Sequence, residues 1–599
     1  MSILRLKRLT LYGISDQKDS ILGGLQELGC LHLVNLGESE RHTELPSAQP
    51  KDTYEALRYL ENSPIKRRPV SEDEDYDLDA IVEKALWNQQ RRRAVHDRID
   101  ELRHQISEVE PWGDFDLPSP AKLGGIRLWF HVVPLHKMKQ VRTSDLAWHM
   151  VRKDHRNAYV VVLSETQPSP DEIPALPVDM GRYSLSELRW QEELAEAETE
   201  EIAAERWTLT RWLGLLKRDM ARAENRAALE HAGTQILAAE DLFAVQGWVP
   251  VKRAEDVVEF AERHGLACTL EEPALDDTPP VLLENPPKLA AGEDLVAFFQ
   301  LPGYRDWDPS TVIFISFALF FAMILSDAGY AALLAIGLAF AWPKMGRSDT
   351  GKRMRSLAVS IVGASVVYGV LVGSYFGVAP AVDSFVGSLK VLEINDFNSM
   401  MKLSVVVGGT HVVLANLMVA WNRRGSWVAL APLGWVVIVL TGIAVMLLGL
   451  DSPFTKVAWW VMGAGGALIF LFSSERPLKR GTDLLWRLFD GLKAAMGLSS
   501  AFGDVLSYLR LFALGLSSAS LAVTFNQLAV QAMDTPGIGL LFGLAILVLG
   551  HVLNIILAII SGVVHGLRLN LIEFYNWGVS GEGETFKAFR RKETLSWMQ

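Results

Sequence analysis

The sequence predicts a mainly α-helical protein made of two unlike parts. Residues 1–305 read as small α/β lobes joined by a long antiparallel helical arm. Residues 306–599 read as a polytopic helical membrane domain of about eight spans, the last two long and tilted. Three observations carry this. From residue 301 onward there are 22 Lys/Arg and 17 Asp/Glu, which leaves 36 and 53 ahead of it from totals of 58 and 70. An acidic part near −17 thus precedes a slightly basic one near +5. Apolar runs long enough to cross a bilayer recur only after about residue 310. A seven-residue apolar repeat sits in the acidic part.

In the first part, residues 3–12 and 31–35 read as strands around a helix at 16–28. Two more strands follow at 126–134 and 157–165. Residues 242–251 read as a strand with a turn at Gly247, and a helix follows over 253–264. Between the lobes lie helical stretches at 76–109 and 185–231. In the second, Leu188, Ala195, Ile202, Leu209, Leu216 and Ala223 recur every seven residues, a helix-packing seam. Paired antiparallel, the stretches would make an arm of about 50–65 Å; two core helices of a globular domain is the competing reading. There is no Gly-rich phosphate loop, Walker motif or nucleophile elbow, so no cofactor is expected and any nucleotide chemistry belongs to another chain. The acidic balance argues against nucleic acid as a partner. Two cysteines, Cys30 and Cys268, allow no disulfide framework and fit a reducing compartment. The N-terminal MSILRLKRLTLYGIS alternates apolar and basic residues, which reads as a strand and not as a signal peptide. The first part is therefore expected in the cytoplasm.

The spans read as 310–326, 328–343, 356–376, 403–421, 426–450, 456–474, 497–532 and 537–575. The first two are divided only by SDAGY, with Asp327 at the tip of a tight turn; a single kinked helix is the alternative. Basic residues gather in alternate connections: Lys344, Arg347, Lys352, Arg353 and Arg355; Arg423 and Arg424; Arg476, Lys479, Arg480, Arg487 and Lys493; then the tail. By the positive-inside rule both termini are cytoplasmic, which requires an even number of spans.

Two arginines lie within the last two apolar segments. A charge at bilayer depth costs about 2.5–3.5 kcal/mol even on the lenient insertion scale. Arg510 has some fifteen mostly apolar residues after it and cannot snorkel easily. Ser507, Arg510, Ser517, Thr524 and Gln527 share one helix face, as do His551, Asn554, Ser561, His565 and Arg568. Interhelical hydrogen bonding would explain the Ser, Thr and Asn residues. It does not require the permanent charge of arginine.

SYLRLFALGLSSASLA (507–522) and HGLRLNLIEFYNW (565–577) resemble the stator membrane subunit, subunit a or I, of V-type and archaeal-type rotary ATPases. So do residues 308–334, YGVLVGSYFG (368–377) and QGWVP (246–250). The resemblance implies a non-catalytic subunit lining half-channels for H⁺ or Na⁺. Arg510 would couple ion transfer to rotation of a ring of small proteolipid subunits, and Arg568 would be a second positive element. His565, Ser507, Ser517, Thr524, Asn554 and Ser561 would line the ion path. Glu573 matches the family's EF pair just after the second arginine. Asp327 matches a family aspartate, or is a structural cap; Asp504 reads as a local interface residue, and Gln527 belongs with these structural or possible positions. The other implied partners are peripheral-stalk subunits, a central-stalk membrane adaptor, the soluble ATPase sector and membrane lipid, in a prokaryotic plasma membrane. Eukaryotic members typically carry a histidine eight residues after the first arginine and a glutamate ten before the second; here those positions are Ser518 and Ala558. A secondary transporter with a regulatory domain is the competing function, although the halves lack the repeat symmetry common in transporters. A scaffold without an ion path is a third reading.

Overall fold

The computed structural model describes residues 2–36, 51–71, 76–115, 124–178, 180, 183–239, 241–381, 383–394, 396–476 and 481–592. The chain divides into two compact units. One comprises Met1–Gln17, Leu28–Leu36 and Leu237–Phe589; the other comprises Lys18–Glu27, Gly37–Ile236 and Arg590–Gln599.

The second unit holds the arm. Leu78–Val109 starts where Asp77 caps the backbone N–H groups of Asp79 and Ala80. Its partner Leu185–Leu209 starts at Ser184, which caps Glu187. Leu188, Ala195 and Ile202 of the predicted seam are buried against Val95, Ile99 and Leu102. The seam then changes partner. A 3₁₀ turn over Thr210–Trp212 divides the predicted single helix, and Leu209 and Leu216 pack with Ala56 and Leu60 of a helix over Lys51–Glu61. Ala223 is only partly buried. A four-stranded antiparallel sheet runs in the order Ala147–Lys153, Asn157–Ser164, Arg127–Pro134, Pro177–Val178. Its core is built from Val133, Ala158, Val160, Val162 and Ile173.

The first unit opens with an antiparallel sheet ordered His32–Val34, Leu242–Pro250, Leu6–Ile14, Ala267–Glu271, with Leu237–Ala239 also paired to Leu242–Pro250. The predicted turn at Gly247 is absent. The strand runs straight through, with Gly247 opposite Leu9 on one side and Leu33 on the other. A Cβ there would lie 2.6 Å from the His32 carbonyl oxygen and 2.8 Å from the Leu31 side chain. The glycine serves close strand packing instead of a bend.

Eight apolar helical segments follow in the predicted order. Among the described residues seven are long and apolar enough to cross a membrane, and the other, Ser310–Leu325, has 16 residues. That helix is the most enclosed: Ile313, Phe314, Phe317 and all of Phe320–Leu325 are buried. The chain breaks after it at Ser326, whose φ is 49°, so the predicted turn replaces a kinked helix. The next helices are Ala328–Met345, Asp349–Val372, Phe397–Asn422, Leu430–Leu448 and Phe454–Phe472. Helix then resumes at Gly481, sixteen residues before the predicted span. Arg487 and Lys493, read as connection charges, lie on Gly481–Ser507. Lys479 and Arg480 lie outside the described residues. A break at Tyr508 separates this helix from Leu509–Met533. The last segment is Gly539–Arg568, a π-helical stretch Leu569–Phe574, and Tyr575–Gly578. Beyond it, Glu582–Gly583 pairs with Leu301–Pro302, the Phe586 N–H donates to the Val281 carbonyl, and the Phe589 N–H donates to the Leu31 carbonyl.

Candidate functional site

The break at Tyr508 and the π-helical stretch place the candidate site. A π turn inserts a residue into the α-helical register. Here the stretch carries Glu573, which is 4% exposed. Its Oε1 accepts a 2.5 Å hydrogen bond from Ser507 Oγ, the last residue before the break. Ser507 Oγ in turn accepts from Arg510 Nη2 at 2.9 Å. Both arginines approach the same carboxylate oxygen: Arg510 Nη1 at 3.8 Å and Arg568 Nε at 3.8 Å. The sequence placed the two arginines on separate stripes, and the structure gives them one shared counter-ion. Two positive charges meet one negative charge at this oxygen, and Asp504 lies within electrostatic reach of the same glutamate.

The cluster is not saturated. Among the described residues, Glu573 Oε2, Arg510 Nη1 and His565 Nδ1 are buried without a hydrogen-bond partner. Arg568 faces outward, with its side chain 53% exposed, whereas that of Arg510 is 22% exposed. On the arginine helix Ser517, Thr524 and Gln527 are also exposed, and Ser561 is partly buried.

Other predicted residues fall elsewhere. Asn554 is buried, donating to the Ser518 carbonyl at 2.8 Å and the Tyr330 hydroxyl at 3.0 Å. His551 bridges the Tyr330 hydroxyl at 2.7 Å and Asn526 Oδ1 at 2.9 Å. With Nε2 donating to that amide oxygen, Nδ1 accepts from Tyr330, so a neutral imidazole satisfies both. These two residues join helices in the manner of interhelical hydrogen bonding. Asp327 is 2% exposed and accepts four hydrogen bonds: from the N–H groups of Tyr330, Phe376 and Gly377 at 3.0 Å each and from Ser374 Oγ at 2.6 Å. It caps its helix and pins the 374–377 turn. Asp504 accepts from Trp577 Nε1 at 2.8 Å.

Sequence reasoning missed Tyr508 and His411. The Tyr508 hydroxyl and His411 Nδ1 are 2.8 Å apart, and the imidazole stacks on Phe574 at 4.2 Å. All three are within 6% exposure and brace the break and the π stretch beside the cluster. The available signal was a lone histidine in the apolar run 403–421.

The comparisons with known proteins bear on a chain of this architecture. No family model matches it. It is 22% identical to V-type ATP synthase subunit I of Borreliella burgdorferi, over 98% of this chain and 99% of that one. It is 26% identical to V-type ATP synthase subunit I of Chlamydia pneumoniae, over 87% of each. The chain is a relative of the V-type and A-type ATP synthase subunit I proteins. The A-type subunit I of Methanocaldococcus jannaschii is 27% identical over 58% of this chain and 55% of its own. A crystal structure of the cytoplasmic N-terminal domain of subunit I, homolog of subunit a, of V-ATPase aligns with 17% identity and a TM-score of 0.24, over 44% of this chain and 99% of that one. The subunit I relatives thus match this chain through both its lobes and its apolar helices.

Proposed function

We propose that this chain is the stator membrane subunit of a V/A-type rotary ATP synthase, and that Arg510, Arg568 and Glu573 couple ion transfer to rotation of a proteolipid ring. The observation that carries this reading is the shared carboxylate: two arginines in apolar helices lie within 3.8 Å of one buried glutamate, so neither guanidinium has a direct carboxylate partner of its own. Such a charge is costly facing lipid and is tolerated where a partner supplies an anion.

A ring subunit bearing one carboxylate must keep it neutral, by a proton or a bound Na⁺, while it faces lipid. When it reaches Arg510 the fixed charge favours its ionised form. At about 4 Å and an effective dielectric near 20, two unit charges attract by about 4 kcal/mol, or about three pKa units. The ion leaves toward one half-channel, and the arginine blocks direct passage between the two. Glu573 and Ser507 hold the guanidinium in place meanwhile. Exposed Ser517, Thr524 and Gln527 and half-buried Ser561 and His565 would line the ion path. Asn554 and Asp327, fully bonded inside the protein, support the helices. The lobes and arm would bind peripheral-stalk subunits and a central-stalk adaptor, and the soluble ATPase sector would supply the nucleotide chemistry.

In the assembled complex, Arg510→Ala and Arg510→Gln are expected to abolish ATP-driven ion transport with assembly preserved. Arg510→Lys should fail largely too, because an ammonium cannot reproduce the planar fork. Near-normal pumping by Arg510→Ala would overturn the mechanism; intact assembly with intact transport would favour a scaffold.

A further inference from the structure

The arm carries a second feature that ion transfer does not use. A cavity of about 670 Å³ opens between the residues after Lys51–Glu61 and the two long helices, lined by Ser63, Ile65, Arg92, Thr199, Arg206 and Trp207 among others. Its size falls in the range of about 300–1,000 Å³ typical of small-molecule sites, which are mostly apolar with a few placed polar groups. All of its lining belongs to the second unit.

The polar groups here are unusual for so acidic an arm. Leu185–Leu209 presents Glu192, Glu196 and Glu198 to Arg91 and Arg103. Yet among the described residues Arg206 and Arg92 have no carboxylate within ion-pair distance, nor has Arg67, which lies over the Trp207 ring at 5.4 Å. Arg206 is 7% exposed. Its guanidinium lies over the Tyr59 ring at 4.2 Å and donates to the Tyr59 carbonyl oxygen, and its Nε is buried without a partner. A buried guanidinium is normally matched by a carboxylate, since an unmatched buried charge is costly. The π face and one carbonyl meet part of that requirement and supply no negative charge.

We propose that this cavity binds a small organic anion, a carboxylate on an apolar body. The carboxylate would pair with Arg206 and Arg92, and the body would pack on Ala203, Ile65 and the Trp207 ring. Bidentate pairing needs the planar fork that arginine offers and lysine does not.

The test uses the full-length protein and 1-naphthoate as probe, followed by isothermal titration calorimetry, with 1-naphthalenemethanol as the uncharged control. One saturable site for the acid is expected, with binding of the alcohol at least about tenfold weaker. Arg92→Gln removes an exposed guanidinium that makes no ion pair among the described residues, and should weaken 1-naphthoate by about tenfold with an unchanged unfolding midpoint. Ala203→Trp fills the cavity and should abolish binding. Absence of saturable binding by the wild type, equal binding of acid and alcohol, or binding that Arg92→Gln leaves unchanged would each overturn the proposal. Loss of transport in Arg510→Ala has no bearing on it, because the two sites share no residue.

Discussion

Asp327 shows how a single carboxylate can be read correctly for its position and incompletely for its role. The turn at SDAGY was legible because two apolar runs were divided by five residues with turn chemistry. Ser374, Phe376 and Gly377, its other partners, lie 47–50 residues away and leave no local signal. Asp327→Asn keeps one acceptor oxygen and turns the other into a donor facing N–H and O–H groups. A loss of about 3 kcal/mol or more is expected, since charged hydrogen bonds contribute about 1.5–3 kcal/mol each. A lowered unfolding midpoint checks this; lost transport with an unchanged midpoint would instead make Asp327 part of the ion path. Glu573→Gln keeps the bond to Ser507 and removes the arginines' shared negative charge. Coupled transport should fall by at least about tenfold, because a barrier change of about 1.4 kcal/mol already gives that factor; unimpaired coupling would count against the shared-counter-ion arrangement. The glutamate was legible as a residue, but its pairing was not, because the π stretch rotates it out of the regular helical spacing. His131 gives a pH dependence. It is fully buried in Arg127–Pro134, its Nδ1 bonds the Ala175 carbonyl at 2.9 Å, and burial lowers its pKa below the usual 6.5. Proton uptake therefore favours the unfolded chain, which titrates near 6.5. The contribution is complete above about pH 6.5 and declines as the pH falls below it. The unfolding midpoint of the wild type should drop between about pH 7 and 5, and His131→Asn, whose amide replaces the Nδ1–H donor, should flatten that slope. Equal slopes would remove His131 as the cause.

Among the elements, the arm was legible from its heptads as far as Ile202, because there one helix packs on one partner. The 3₁₀ turn at Thr210–Trp212 was not legible: the apolar repeat continues through it while the partner changes. The two arginine-bearing segments were legible from length. The break at Tyr508 was not, since that residue has neither Gly nor Pro beside it; it is held by His411 from a helix about a hundred residues earlier. The exposed stripe on Leu509–Met533 makes an element-level prediction. Cysteines at Ser517 and Ser561 should react with small water-soluble thiol reagents and crosslink to cysteines beside the ring carboxylate, whereas one at Ile438 should not react. If both were inert and crosslinked only to each other, the stripe would be packing and the ion path would lie elsewhere.

On the scale of the whole molecule, the 582–589 segment pairs with Leu301–Pro302, Val281 and Leu31, which bears on the expected number of crossings. Segments in direct contact lie on one side of a membrane, so the helices between them cross it an even number of times. Among the described residues seven helices meet the length for crossing, and on this reading Ser310–Leu325 would be the eighth. At 1.5 Å per residue it spans about 24 Å against a hydrocarbon core of about 30 Å. It is enclosed by neighbouring helices, and a helix sheathed in protein need not match the lipid. The loop charges of the sequence carry the same expectation of an even number. They could not show the contact, which in the case of Leu31 and Phe589 joins residues more than 500 positions apart. The expected division of labour can be tested on the intact chain: it should bind peripheral-stalk subunits and show no ATP binding by calorimetry. Tight ATP binding would contradict it.

The same pairing also bears on how the protein is made. The sheet carrying Leu6–Ile14 leaves the ribosome first, yet Phe586 and Phe589, which donate to the carbonyls of Val281 and Leu31, are synthesised only after every apolar helix. During the interval those carbonyls and the Leu301–Pro302 edge have no strand to pair with. At elongation rates of about 5–20 residues per second, the roughly 280 residues from Pro302 to Glu582 keep that edge open for about 14–56 seconds. An open edge is a template for pairing with another chain. A nascent chain stalled before residue 582 should therefore aggregate or be degraded more readily than one extended past residue 589, whose own segment closes that edge.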